Sequence, residues 1–134
     1  MASGLSTPAP VLLVVEDNVD QRTLLREFLG DVLPCDLREA ADGVSALEQA
    51  QDRRPNLVLL DLQIPPQGGL QLLGEMRAHA QLADVPVIVL SGSRAADDLA
   101  GVEAAGVFRF IEKPYDLDDL ESAVVAALSA PARH

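Results

Sequence analysis

Hydrophobic residues fall along this chain in two alternating textures. One is the short unbroken run: Val11-Leu12-Leu13-Val14-Val15, then Leu57-Val58-Leu59-Leu60, then residues 85–90 with Pro86 near their start. Such runs, bounded by polar or turn residues, predict strands buried on both faces. The other texture is spaced. Over 19–33, Leu24, Leu25, Phe28, Leu29 and Val32 recur at helical intervals, and Pro34 closes the segment. Leu70, Leu72, Leu73 and Met76 mark another helical face. Leu117, Leu120, Val124 and Leu128 mark a third, with Asp116 placed to cap it and Asp118 and Asp119 near its positive end. Weaker helices are predicted over 44–51, after Asp42-Gly43, and over 95–105, where Ala and Gly leave little apolar bulk. Two weaker strands, 35–40 and 107–111, carry charge inside them at Asp36, Arg38 and Arg109.

Strand and helix thus alternate five times. A (βα)₅ order predicts an α/β domain: a doubly wound, five-stranded parallel sheet with helices on both faces. The first, third and fourth strands are wholly apolar and belong inside the sheet, while the charged second and fifth suit its edges. That gives the flavodoxin-like order 2-1-3-4-5, with the topological switch point between strands one and three. No repeat or linker breaks the pattern. Residues 10–130 are expected to form one domain, between a flexible Ser/Thr/Ala/Pro-rich tail at 1–9 and a short tail at 131–134.

Composition narrows the setting. The 134 residues are 49% hydrophobic, enough for one core, and three Phe, one Tyr and no Trp leave that core to Leu, Val, Ile and Ala. A net charge of −11 argues against nucleic acid as a partner. One cysteine, Cys35, excludes an internal disulfide and suits a reducing, cytoplasmic setting. No apolar stretch reaches the ~18 residues of a membrane helix, so no membrane association is expected.

The chemistry lies after the strands, where ligands bind in such sheets. Glu16, Asp17 and Asn18 follow the first strand, Asp61 the third, Ser91 the fourth, and Lys113-Pro114 the fifth. Lys113 is the only lysine in the chain; the other nine basic residues are Arg. Three carboxylates converging at one edge repel one another unless a cation is present. A hard divalent ion with oxygen ligands answers that need, and Mg²⁺ suits a phosphoryl site. Asp61 is then a candidate nucleophile toward phosphorus, Lys113 a point charge for a phosphoryl oxygen, and Ser91 a hydroxyl for another. A plainer reading makes Glu16-Asp17 an acidic turn with Asp17 as helix cap; Ser93 would cap the fourth helix.

Val-Val-Glu-Asp-Asn at 14–18, Leu-Leu-Asp-Leu-Gln-Ile-Pro at 59–65, Val-Leu-Ser-Gly at 89–92 and Glu-Lys-Pro at 112–114 occur in this order at the predicted strand ends. As a set they resemble the receiver domain of bacterial two-component response regulators. The resemblance implies that Asp61 accepts phosphate from a sensor-kinase phosphohistidine or a phosphotransfer protein. It implies Mg²⁺ ligation by Asp17, Asp61 and the Gln63 carbonyl, with Glu16 acting through water. Ser91 would move to the phosphoryl group, Lys113 would pair with it, and Phe110 would turn inward as the switch aromatic. Gln63 and Ser93 fall on positions that tune phosphate lifetime, and a cis bond is expected before Pro114. Such a domain is not a metabolic enzyme, although self-phosphorylation from phosphodonors and autodephosphorylation are expected. Gly68 stands where Asp is common, so the loop at 65–69 is expected to depart from the usual shape.

Three readings of the whole follow: a stand-alone receiver acting on an unidentified downstream protein, a receiver cut from a larger regulator or hybrid kinase, or a haloacid-dehalogenase-type phosphatase. The last needs a second Asp two residues after the nucleophile, where Gln63 stands. Family dimers built on the fourth helix, fifth strand and fifth helix rely on cross-paired charges. Only Arg94 and Arg109 supply cations there, so a monomer, or a dimer through another face, is expected.

Overall fold

A computed structural model of the protein describes residues 9–66, 68–92 and 96–129, without the side chains of 96–98. Ser93, Arg94 and, apart from Ala9, the two expected tails lie outside the described residues. The strands are β1 (Val11–Val15), β2 (Asp36–Ala40), β3 (Leu57–Asp61), β4 (Val87–Ser91) and β5 (Arg109–Glu112). The helices between and after them are α1 (Val19–Val32), α2 (Gly43–Asp52), α3 (Gly69–Ala78), α4 (Ala96–Ala104) and α5 (Leu117–Ser129). All pairings are parallel and the order is β2-β1-β3-β4-β5, as expected from the apolar centre and charged edges.

The continuous apolar strands divide their residues between two cores. Leu13, Val15, Val58, Leu60, Val87 and Val89 face Ala46 and Ala50 of α2, Leu72, Leu73 and Met76 of α3, and Val102 of α4. Leu12, Val14, Leu57, Leu59, Ile88 and Leu90 face Leu25 and Leu29 of α1 and Leu120, Ala123, Val124 and Ala127 of α5. Alternate residues of one strand feed opposite faces, so a strand lying between two helical layers needs apolar residues at every position. Each fully buried Leu, Ile or Val contributes about 1.5–3 kcal/mol relative to exposure.

The departures from expectation are local. In α1 only Leu25 and Leu29 are buried, whereas Leu24 and Val32 are 43% and 38% exposed. The apolar stripe of α1 is wider than the surface it packs against. β4 starts at Val87, not at residue 85: the Val85 amide bonds back to Leu82, and Pro86 has no amide to donate. β5 is shifted likewise, because 105–106 form the turn that closes α4, with Gly106 at a φ of 66°. That left-handed conformation is one glycine adopts without steric cost. Asp116 does cap α5, its side chain accepting from the Asp118 amide at 2.7 Å. Among the described residues, no helix is long and apolar enough to cross a membrane.

Candidate functional site

The register of the sheet brings the carboxyl ends of β1, β3, β4 and β5 to one edge. Glu16 extends β1 by one hydrogen bond, from its amide to the Ala40 carbonyl at 3.0 Å. The residue is 2% exposed. One carboxylate oxygen, Oε2, accepts from the Asn18 amide at 3.2 Å, and the other, Oε1, from Lys113 Nζ at 3.0 Å. Asp61 closes β3 and is also buried. Its Oδ1 accepts from the Gln63 amide at 2.9 Å and its Oδ2 from Lys113 Nζ at 3.0 Å.

Asp17 is not the cap of α1. Asn18 is, accepting from the Gln21 amide at 2.9 Å, so the plainer reading of Asp17 fails. The Asp17 carboxylate is exposed and takes no hydrogen bond among the described residues. Glu16, Asp17 and Asp61 each present an oxygen within 4.8 Å of the other two. Three carboxylates against one ammonium leave an excess of negative charge, and the donor set is all hard oxygen. The cluster therefore fits a hard divalent cation. The crowding shows in the acid–base behaviour. Burial pushes Glu16 above its ordinary 4.5; Lys113 and the Asn18 amide pull it down, and the Asp61 charge adds to the rise. Burial pulls the Lys113 ammonium down, but the Asp61 and Glu16 carboxylates outweigh it and lift Lys113 above its ordinary 10.5.

The β3–α3 loop brings its backbone against Asp61. A Cβ on Gly69 would lie 2.7 Å from Leu62 Cα and 2.8 Å from the Asp61 carbonyl oxygen, so only glycine fits. Gly68 has a φ of 91°, which accounts for glycine where the resemblance led one to look for Asp. Gln63 is exposed beside the site, between buried Leu62 and Ile64. The bond before Pro114 is cis, as expected, and so is the unanticipated one between Pro65 and Pro66.

Ser91 is fully buried at the end of β4, and its carbonyl accepts from the Lys113 amide at 2.8 Å. Phe110 is half-buried against the α2–α3–α4 core. Three residues near the site have contacts that the sequence did not reveal. Asn18 had a cap-type signal that Asp17 masked. Arg22 NH1 donates to the Glu16 carbonyl at 2.8 Å, a contact with no sequence signature. Tyr115 keeps a buried hydroxyl without a hydrogen-bond partner, and burial lifts it above its ordinary 10. A groove of about 230 Å³ between α2 and α3, lined by Val44, Leu47, Glu48 and Glu75 among others, contains none of the three carboxylates.

A family model described as "Response regulator receiver domain" matches residues 12–125. Response regulator Rcp1 of Synechocystis is 32% identical over 126 residues, covering 88% of this chain and 86% of that protein. Transcriptional regulatory protein PrrA of Mycobacterium leprae is 36% identical over 129 residues, covering 96% of this chain but only 53% of PrrA. The chain thus spans most of one relative and about half of the other. Among solved structures, the phosphorylated cyanobacterial phytochrome response regulator RcpA superposes with a TM-score of 0.80 at 30% identity, covering 94% of this chain and 99% of that one. The Mn²⁺-bound form of response regulator Rcp1 superposes with a TM-score of 0.78 at 28% identity, covering 93% and 99%.

Proposed function

We propose that this chain, which belongs to the response regulator receiver family and is a phospho-accepting receiver of two-component signalling, takes its phosphoryl group on Asp61. One observation carries the choice: Asp61 is a buried carboxylate at the switch point of the sheet, held at both oxygens, beside two further carboxylates and the only lysine. Receiver domains interact with histidine kinases or phosphotransfer proteins, so the donor is a phosphohistidine. A carboxylate oxygen of Asp61 attacks phosphorus; the new O–P bond forms as the P–N bond breaks, and that electron pair returns to the imidazole. Attack of water on phosphorus later breaks the O–P bond, releasing inorganic phosphate and restoring the carboxylate.

The fixed Asp61 side chain supplies orientation. Lys113, shared between Glu16 and Asp61 at rest, turns to a phosphoryl oxygen, and the Ser91 hydroxyl donates to another. Asp17, Asp61 and the Gln63 carbonyl would hold Mg²⁺, with Glu16 acting through water. When bound, the ion offsets the charge that gathers on the phosphoryl oxygens. The all-oxygen donor set and the Mn²⁺-bound form of Rcp1 support a divalent ion here. The movement of Ser91 leaves room for Phe110 to turn inward, which transmits phosphorylation to the α4–β5 side. The exposed Gln63 side chain, with Ser93, sets the rate of hydrolysis.

The output is recognition by a downstream protein. Among the described residues of α4, β5 and α5, Arg109 is the only cation, so we expect a monomer, or a dimer through another face. Sedimentation with Mg²⁺ and beryllofluoride checks this; a dimer built on α4, β5 and α5 contradicts it. The main test is labelling by acetyl phosphate in Mg²⁺. Wild type is labelled only while Mg²⁺ is present, EDTA added before the phosphodonor preventing it, and Asp61→Asn falls to background in Mg²⁺. Equal labelling of the two would overturn the mechanism.

A further inference from the structure

Arg22 lies in the first turn of α1 and reaches back toward the end of β1. Its NH1 donates to the Glu16 carbonyl at 2.8 Å, while its Nε pairs with Glu39 Oε1 on β2 at 3.1 Å. Glu39 is itself anchored: Oε2 pairs with Arg26 at 3.1 Å, and its main-chain carbonyl accepts from the Gln49 side chain on α2 at 2.6 Å. The oxygen that Arg22 grips belongs to the peptide leading into Asp17. The Asp17 carboxylate has no hydrogen bond of its own among the described residues, so only its backbone can aim it. That backbone is pinned by Glu16 N to Ala40 O, Arg22 to Glu16 O, the Asn18 amide to Glu16 Oε2, and the Asn18 cap.

We infer that Arg22, backed by Glu39, is a positioning residue that aims the Asp17 carboxylate into the acidic cluster and so sets divalent-metal affinity. The inference rests on the metal reading given above. The planar guanidinium is what the geometry requires, since one head group serves acceptors in two directions; a lysine ammonium does not reproduce that fork. The plainer alternative is a surface ion pair with no role in metal binding. The outer pair, Arg26 with Glu39, fits that description, because Arg26 is half-exposed. Electrostatics alone has the opposite sign: removing a cation near three carboxylates should tighten metal binding. Positioning makes it weaker.

The experiment is a Mg²⁺ titration of the full chain by calorimetry, paralleled by Tyr115 fluorescence, the chain having one Tyr and no Trp. Melting in EDTA is measured alongside. Arg22→Ala is expected to weaken Mg²⁺ about tenfold, the lower range for loss of a residue that orients a metal ligand. Arg22→Lys and Glu39→Ala should each weaken it about threefold, and Arg26→Ala by less than about twofold. Affinity within about twofold of wild type in Arg22→Ala, or tighter, overturns the inference whatever happens to its melting point. Should Arg22→Ala not fold, unchanged affinity in both Arg22→Lys and Glu39→Ala overturns it equally. Asp17→Asn separates the two claims. Mg²⁺ binding retained there sinks the metal reading itself, whereas binding lost there but unchanged in the Arg22 variants sinks only the role of Arg22.

Discussion

The two sides of the candidate site are built differently. On the acidic side every residue of β1 and β3 is buried, both oxygens of Glu16 and of Asp61 are hydrogen-bonded, and the turn into α1 is capped. On the other side β5 is an edge strand exposed at both ends, and among the described side chains of α4 only Val102 is buried. Segments with little buried apolar area open at low free-energy cost, and elements that move in signalling are drawn from them. The three clustered carboxylates therefore sit on the better-packed side, and the proposed reporting elements on the looser one. Lys113 joins the two. Its amide hangs from the Ser91 carbonyl beside β5, while its ammonium lies between Glu16 and Asp61. A change of charge at Asp61 is thus felt directly by the strand that carries Phe110.

Three substitutions probe this contrast. The largest effect is expected from Gly69→Ala, where the new methyl would meet main-chain atoms of Asp61 and Leu62. Main chain cannot rotate away as a side chain does, so we expect a loss of about 3 kcal/mol in urea unfolding together with slower acetyl-phosphate labelling. A loss below ~0.5 kcal/mol would mean that the acidic side yields more easily than its packing implies. Next is Lys113→Ala, which leaves two buried carboxylates uncompensated. Because the Lys113 side chain is 24% exposed, the full cost of breaking a buried pair is discounted to about 1–2 kcal/mol at neutral pH in EDTA. Mg²⁺ should restore part of that stability. No loss in EDTA would mean that the lysine matters only once phosphate is attached. The smallest effect is expected from Gly101→Ala on α4. The nearest atoms its methyl would meet are Leu70 side-chain carbons, at 3.1 and 3.2 Å, which can rotate. Alanine inside a helix also gains up to ~1 kcal/mol over glycine, so the net change should stay within ~0.5 kcal/mol. A loss above ~2 kcal/mol would show α4 packed as tightly as the acidic side.

Much of the fold and most of the site residues were legible in the sequence because their signals are carried by neighbouring residues. An unbroken run such as Leu57-Val58-Leu59-Leu60 must be buried on two faces, and charge inside 35–40 and 107–111 sends those strands to the edges. Once the order is known, the residues after each strand share one edge, which brings Glu16, Asp17, Asp61, Ser91 and Lys113 together. Boundaries at β4 and β5 were missed by one or two residues, because pairing there begins only after a proline and a glycine turn have released the chain. Tertiary structure alone decided which partner each polar group takes. Lys113 meets Glu16 across 97 positions and Asp61 across 52. Nothing local marks Arg22, among nine arginines, as the one that grips the Glu16 carbonyl, or leaves Leu24 and Val32 in solvent while Leu25 and Leu29 are buried. Periodicity belongs to consecutive residues, whereas hydrogen bonds and charge pairs depend on distances through space, and those exist only once the sheet has set its register.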